Sequence, residues 1–254
     1  MKFFQKIRHN HIQNNKTKKY LRYVVGEIVL VVIGILIALQ INNWNEARKE
    51  ERFLKEYLVK IKSHTLKDLQ QLDELMKGRK QIAELCKKAR TSILDKTEND
   101  NPVLFMSSGF AFADLYFKPN TGGYDALKNS DYFGKFNNTP IDSLLTRYYS
   151  LIDEIAVNEK SYNDYAESQE AYLSTQFDRS LILAYAFVPQ DSLRIRATTQ
   201  AEYFEDFAAY TSTASYRNVI SLAAWQFDTM VDLYNKLKDL GENIIEEINA
   251  IAKD

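Results

Sequence analysis

The stretch VVGEIVLVVIGILIAL, residues 24–39, decides the architecture. Its uninterrupted part, Ile28 to Leu39, is twelve residues with no strongly polar side chain. Extended from Tyr23 to Ile41 it becomes nineteen, broken by Glu27 and Gln40. A helix rising ~1.5 Å per residue needs roughly 20 such residues to cross a hydrocarbon layer about 30 Å thick. Tyr20 and Tyr23 stand at one end and Trp44 at the other, where amphipathic rings favour the headgroup layer. The stretch therefore reads as one transmembrane helix over residues 23–44.

Charge orients it. The first 22 residues carry Lys2, Lys6, Arg8, Lys16, Lys18, Lys19 and Arg22 and no acid, whereas Glu46, Arg48, Lys49, Glu50, Glu51 and Arg52 mix both signs after Trp44. Basic residues beside a span stay on the cytoplasmic side. Residues 1–22 are thus expected as a basic cytoplasmic tail, and residues 45–254 beyond the membrane. A cleaved signal peptide is the rival reading. Its apolar stretch would end at small residues resembling A-x-A, but this one ends Ala38-Leu39-Gln40-Ile41-Asn42.

FFQKIR at 3–8 and KYLRYVVGEIVLVVIGILIALQINNWNE at 19–46 resemble the opening of a large family of uncharacterised Bacteroidota single-span membrane proteins. GGYDALKNSDYFGKFNNTPIDSLLTRYYS at 122–150 resembles the family's middle region more loosely. The resemblance implies a Gram-negative inner-membrane protein with a periplasmic helical domain. It implies no activity and carries over no catalytic residue.

Composition agrees with a folded domain behind the anchor. The chain has only 8 Gly and 4 Pro, too few punctuating residues for a turn-rich β fold. Net charge is -1, so no basic surface calls for nucleic acid. The single cysteine, Cys86, forms no intramolecular disulfide. It lies on a helical apolar pattern and reads as core.

From Glu46 to Leu94, apolar residues recur at three- and four-residue steps: Tyr57/Leu58, Ile61, Leu69, Leu72, Leu75/Met76, Ile82, Leu85/Cys86, Ala89 and Ile93. That spacing is one buried helical stripe, so the membrane helix is expected to continue into a stalk. KTENDNP at 96–102 breaks it. Residues 103–138 are irregular, with FAFADLYF as a short helix or strand, PNTGG as a turn and a short helix over 124–136. Thr139-Pro140-Ile141-Asp142 opens a second long helix to about Phe177, with Thr as N-cap and Pro at the first helical position. Residues 178–198, containing LILAYAFVP, connect to a Thr199-Gln200-Ala201-Glu202 capping box. Ser212 or Ser215 caps a last helix to about Ala252. The expected fold is all-α: one N-terminal transmembrane helix continuing into an elongated up-down-up helical bundle, with residues 96–138 as a small distal cap.

Chemistry is sparse. His64 lies beyond the span without partner histidines, and no P-loop, G-x-S-x-G or G-x-G-x-x-G occurs. No catalytic, cofactor or metal residues are assigned. Two features stand out. Glu27, Val31, Gly34 and Ala38 share one face of the membrane helix, where small residues admit another backbone and an ionisable group prefers protein to lipid. Tyr116, Tyr124, Tyr132, Phe133, Tyr148 and Tyr149 fall in or beside the cap as candidate interface or ligand aromatics. In the up-down-up layout Leu181, Leu183 and Phe187 lie at the membrane-proximal end. The expected partners are the lipid bilayer and another membrane protein or a second copy through the span. The favoured function is a non-enzymatic, membrane-anchored interaction or scaffold module, an accessory subunit of an inner-membrane assembly. The alternative is a periplasmic ligand-sensing bundle. A membrane-bound hydrolase using Asp114, Asp125, Asp131 and Asp142 stands third.

With no metal constellation and no disulfide, the fold must rest on apolar burial. Residues 47–254 are therefore expected to melt at the same temperature with or without EDTA or reductant, as read by circular dichroism. A large drop on chelation would reveal a structural metal.

Overall fold

The computed structural model describes residues 17–97, 101–178 and 200–252. Among them are six α-helices and no strand. Helix α1 spans Thr17–Asp95, α2 Pro102–Ser108, α3 Gly122–Lys128, α4 Pro140–Gln176, α5 Gln200–Thr211 and α6 Ala214–Ile251. Two 3₁₀ turns, Gly109–Phe112 and Phe133–Phe136, interrupt the stretch between α2 and α4. The all-α class and the long apolar N-terminal helix are as the sequence indicates.

Local signals set the ends. Helix α1 stops where Lys96 takes a left-handed backbone, φ 59°. Asn101 caps α2 by accepting the Leu104 amide at 3.0 Å, with Pro102 at the first position. Thr139 caps α4 by accepting the Asp142 amide. Helix α6 is capped by Thr213, which accepts the Tyr216 amide at 3.3 Å, rather than by Ser212 or Ser215. The expected helix over 124–136 is instead α3 followed by the second 3₁₀ turn. The expected capping Thr199 lies outside the described residues.

The chain divides into two units, residues 1–56 and 57–254. In the first, α1 carries the apolar run, with mean hydropathy 2.7 over its best window and none of that window buried. Past Trp44 the helix turns charged, and Lys55 meets Glu51 at 2.9 Å one turn away.

The second unit packs α1, α4 and α6 around one core. Leu58, Ile61, Leu72, Met76, Ala83, Cys86 and Ala89 supply α1's share, and Ile141, Leu145, Tyr148, Ile152, Ile155 and Tyr162 supply α4's. Cross-helix contacts fix the directions. Asp68 bonds Tyr148 and Arg79 pairs with Glu159, so numbers rise together and α4 runs parallel to α1. Lys62 bonds Asn249, Asp73 pairs with Lys238, and Lys87 with Asp228, so α6 runs antiparallel. The return between α1 and α4 is made by residues 101–123: Ser108 lies by Cys86, Leu115 by Arg79, Lys118 by Gln71, Asn120 by Asp68 and Gly123 by His64.

The expected up-down-up order of the long helices is corrected accordingly. Helix α4 runs with α1, α6 runs against both, and residues 101–123 lie along the helices instead of capping an end. The physical reason is that periodicity fixes a helix's buried face but not its sense, and the descending segment has no helical period to announce it. Leu181, Leu183 and Phe187 lie outside the described residues. Phe177 and Tyr210, which flank that stretch, pack edge-on at 5.6 Å, and Tyr210 meets Tyr216. Tyr216 in turn bonds Phe105 and lies beside Ser108, at the Cys86 level of α1 and far from Tyr57.

At Gly241, α6 comes close to α1. A Cβ there would stand 2.8 Å from Leu69 Cδ2, 3.1 Å from Thr65 Cγ2 and 3.3 Å from Tyr148 Cε2. Gly78, by contrast, has open space around its Cβ position. The two glycines should respond oppositely. Gly241→Val is expected to cost about 1–3 kcal/mol by overpacking, and Gly78→Ala to gain about 1 kcal/mol by helix propensity. Thermal melts of the full chain in mild detergent read both signs.

Candidate functional site

Two kinds of feature qualify: the unpacked face of the anchor helix and the buried polar groups of the second unit. On the anchor, Glu27, Val31, Gly34 and Ala38 are all exposed within the chain. Nothing comes within 4 Å of a Cβ built on Gly34. Among the described residues nothing covers this face.

In the second unit the α1 stripe contains three polar members, Thr65, Asp68 and Arg79, each at most 1% exposed. On α4 the buried stripe includes Glu159 and Asn163. These residues form two clusters, and both hold the main chain of the segment between α2 and α4. Sequence reasoning passed over them. The signal was present: positions 65, 68, 79 and 159 keep the three-and-four spacing of the apolar stripe yet are polar.

The upper cluster centres on Arg79. Its Nε donates to the Tyr234 hydroxyl at 2.8 Å and its Nη2 to the Leu115 carbonyl at 2.8 Å. Its guanidinium lies 4.7 Å from the centre of the Phe227 ring, a favourable seat for a dehydrated cation. Nη2 also approaches Glu159 Oε1 at 3.8 Å. Tyr234 donates to that same carboxylate. Phe117 donates its amide to both Glu159 oxygens at 3.0 Å. Asn163 donates to Leu115 O at 3.2 Å, and Tyr162 to Ala111 O at 2.7 Å. Burial pushes the Glu159 carboxyl above its ordinary value, against the opposing pull of Tyr234, Phe117 and Arg79. Burial likewise raises the Tyr234 hydroxyl. Arg79 Nη1 and Asn163 Oδ1 have no partner among the described residues.

The lower cluster centres on Asp68, which accepts the Asn120 amide at 2.9 Å, the Asn120 side chain at 2.7 Å and the Tyr148 hydroxyl at 3.1 Å. His64 Nδ1 lies 3.1 Å from both the Gly123 amide and the Asn120 carbonyl. Unprotonated it accepts the first; carrying a hydrogen it donates to the second. The PNTGG turn expected from sequence is therefore clasped against one face of α1.

The candidate aromatics gather there in part. Tyr124 stacks on Tyr149 with centroids 4.0 Å apart and rings 7° from parallel, Phe133 meets Tyr124 edge-on at 6.4 Å, and Tyr148 meets Tyr149 edge-on at 5.4 Å. Burial raises the hydroxyl pKa of Tyr148 and Tyr149, with Asp68 adding to each. Tyr132 is half-buried nearby in sequence, and Tyr116 stands exposed on the segment before Phe117. Of the acids once set together, Asp125 and Asp142 flank Tyr124 and help burial raise its hydroxyl; Asp114 and Asp131 are exposed. Among the described residues no three His, Cys, Asp or Glu side chains group as metal ligands. Burial pushes the Cys86 thiol up to about 12, which fits a packed thiol rather than a nucleophile. A groove of about 570 Å³ opens between α4 and α6, lined by Leu144, Leu151 and Leu240 together with Arg147, Glu154 and Lys236.

Removing one member of a buried pair leaves the other charge uncompensated, at a cost of about 3–5 kcal/mol. Glu159→Ala is expected to destabilise the second unit by that amount. Asp73→Ala breaks a pair whose acid is half exposed and should leave the midpoint almost unmoved. Equal effects in urea unfolding would remove the special weight given to Glu159.

A family model described as a family of unknown function (DUF6090) matches residues 27–181, more than half of the chain. The match takes in Glu27, Asp68, Arg79, the clasped segment and all of α4, while α5 and α6 lie beyond it. No curated protein and no solved structure matches the chain. With the apolar helix, both polar clusters and α4 inside the matched span, this chain belongs to the DUF6090 family.

Proposed function

We propose that this chain is a single-pass inner-membrane protein with a cytoplasmic N-terminus and a periplasmic helical part. It works without catalysis, as an anchored interaction module and accessory subunit of a larger membrane assembly. The observation carrying this reading is the apolar window of α1, hydropathic enough to span a bilayer and not buried by any of the described residues. The seven basic residues before the span support the orientation. The buried polar groups support a non-catalytic role: Arg79, Glu159, Asp68 and Tyr162 are all engaged with backbone or with one another. The contact face is Glu27, Val31, Gly34 and Ala38, open to a second copy or another membrane protein. The groove between α4 and α6 is what the ligand-sensing alternative would use.

Purification of the full chain in mild detergent tests the reading. A stoichiometric membrane partner, or a homodimer, is the expected result; a retained small molecule with no partner favours sensing. A periplasm-active reporter fused after Asp254 is expected to work and a cytoplasm-only reporter to fail. Gly34→Leu is expected to weaken association without changing the melting of the helical part, because a bulky side chain blocks close backbone approach. Unchanged association would leave that face to lipid alone.

A further inference from the structure

Residues 113–121 belong to no helix or strand. Their main-chain groups are held by side chains projecting from long helices. Phe117, Lys118 and Asn120 donate their amides to Glu159, Gln71 and Asp68, and the Leu115 carbonyl accepts from Arg79 and Asn163. Only the Phe117 ring among the aromatics of this stretch is fully inserted; Tyr116 is exposed. A segment held this way detaches by breaking side-chain bonds, while α1, α4 and α6 keep their own backbone ladders. Pro119 limits the freedom gained on release. We propose that residues 113–121 form a latch tying α1 to α4, and that its closure is linked to protonation of Glu159.

The groups facing Glu159 determine the sign. Arg79 faces it from α1 and Tyr234 from α6. From the latch it meets the Phe117 amide, while Asp114 and Lys118 point to solvent and Tyr116 lies near Lys160. On its own helix Lys160 is exposed and occupied by Asp164. Burial is the largest influence, so the closed latch holds the Glu159 carboxyl above its ordinary value. With the latch open, water reaches the carboxyl and the ordinary value returns. The proton therefore binds more tightly to the closed form. Closure is firmest below the ordinary carboxylate pKa and weakens as pH rises through the elevated one. With Glu159 protonated, Arg79 keeps the Tyr234 hydroxyl, the Leu115 carbonyl and the Phe227 face, and the carboxyl stays in place between Phe117 and Tyr234, which Glu159→Ala would remove.

Hydrogen exchange of the full chain in mild detergent, with the intrinsic pH dependence of exchange divided out, tests this. Protection of peptides covering 113–121 is expected to fall as pH rises from about 4.5, by up to about tenfold per pH unit, and then to level off. Peptides from α6 are expected to show no such slope. Glu159→Gln should abolish it and Glu154→Gln, on an exposed position of α4, should keep it. A flat or inverted profile at 113–121 overturns the proposal. So does the same slope throughout α6, which would mean opening of the whole unit, or a slope that survives in Glu159→Gln. If the Gln variant fails to fold, the comparison of 113–121 with α6 in the natural chain decides alone.

Discussion

A guanidinium with no exposed surface sits at the centre of the helical unit. Taking such a cation out of water costs several kcal/mol even after relaxation. Arg79 recovers that cost from four sources at once: the Tyr234 hydroxyl and the Phe227 face on α6, the Glu159 carboxylate on α4, and the Leu115 carbonyl between α2 and α3. No pair of these elements satisfies Arg79 alone. The charge therefore demands that α1, α4, α6 and the intervening segment assemble together. A well-packed apolar cluster of equal volume would give at least as much stability, so net stability does not account for the arrangement. Register does. Sliding α4 by one turn along α1 would set Ile155 or Asn163 opposite Arg79 and leave a buried cation without its counterion. Gly241 adds a second constraint on the same alignment, since any Cβ there would press on Leu69, Thr65 and Tyr148 and make them shift.

Much of this was legible in the sequence, and the rest was hidden for identifiable reasons. The apolar run from 24 to 39, the Thr139-Pro140 helix start and the stripes of α1 and α6 all state a local preference that tertiary structure had no cause to override. The sense of the helices was not legible. Amphipathic faces are symmetric to reversal, so the only evidence would have been knowledge of how residues 101–123 travel. That path is set by side chains reaching to main-chain atoms, which leaves no periodic trace. The polar positions 65, 68, 79 and 159 were the available clue. Each falls where the stripe requires an apolar residue, and such a conflict marks a buried polar network.

The same directions relocate the aromatic cluster. Tyr124, Phe133 and Tyr149 were expected far from the start of the bundle. They sit instead at the level of Ile61 and Asp68, because α3 packs Gly123 against Ile61 and His64. Their stacking is internal to the unit, and Tyr148 beneath them is fully buried. Much of the area that made these residues candidate anchors is therefore already covered by one another. Tyr116 is different: it is exposed on the latch, so its surroundings change if the latch opens.

The two units satisfy their side chains by opposite means. In residues 57–254 the apolar faces of α1, α4 and α6 cover one another, and the buried polar groups hold the main chain between α2 and α4. Over residues 28–39 the helix presents an apolar surface on every side, and none of the described residues covers it. Water does not tolerate a contiguous apolar surface of that extent. Lipid does, and it also favours a helix, whose backbone groups are all bonded within the segment. Glu27 is the one charged residue between Tyr23 and Ile41. It lies a turn inside the apolar stretch, within a helical step or two of Lys19 and Arg22. In a bilayer it would either reach the headgroup layer beside those cations or turn toward a protein neighbour on the Gly34 face. The first option costs little and specifies nothing. The second would make Glu27 a determinant of which protein the helix meets, and that distinction, rather than the length of the apolar run, would decide whether such a span is only an anchor.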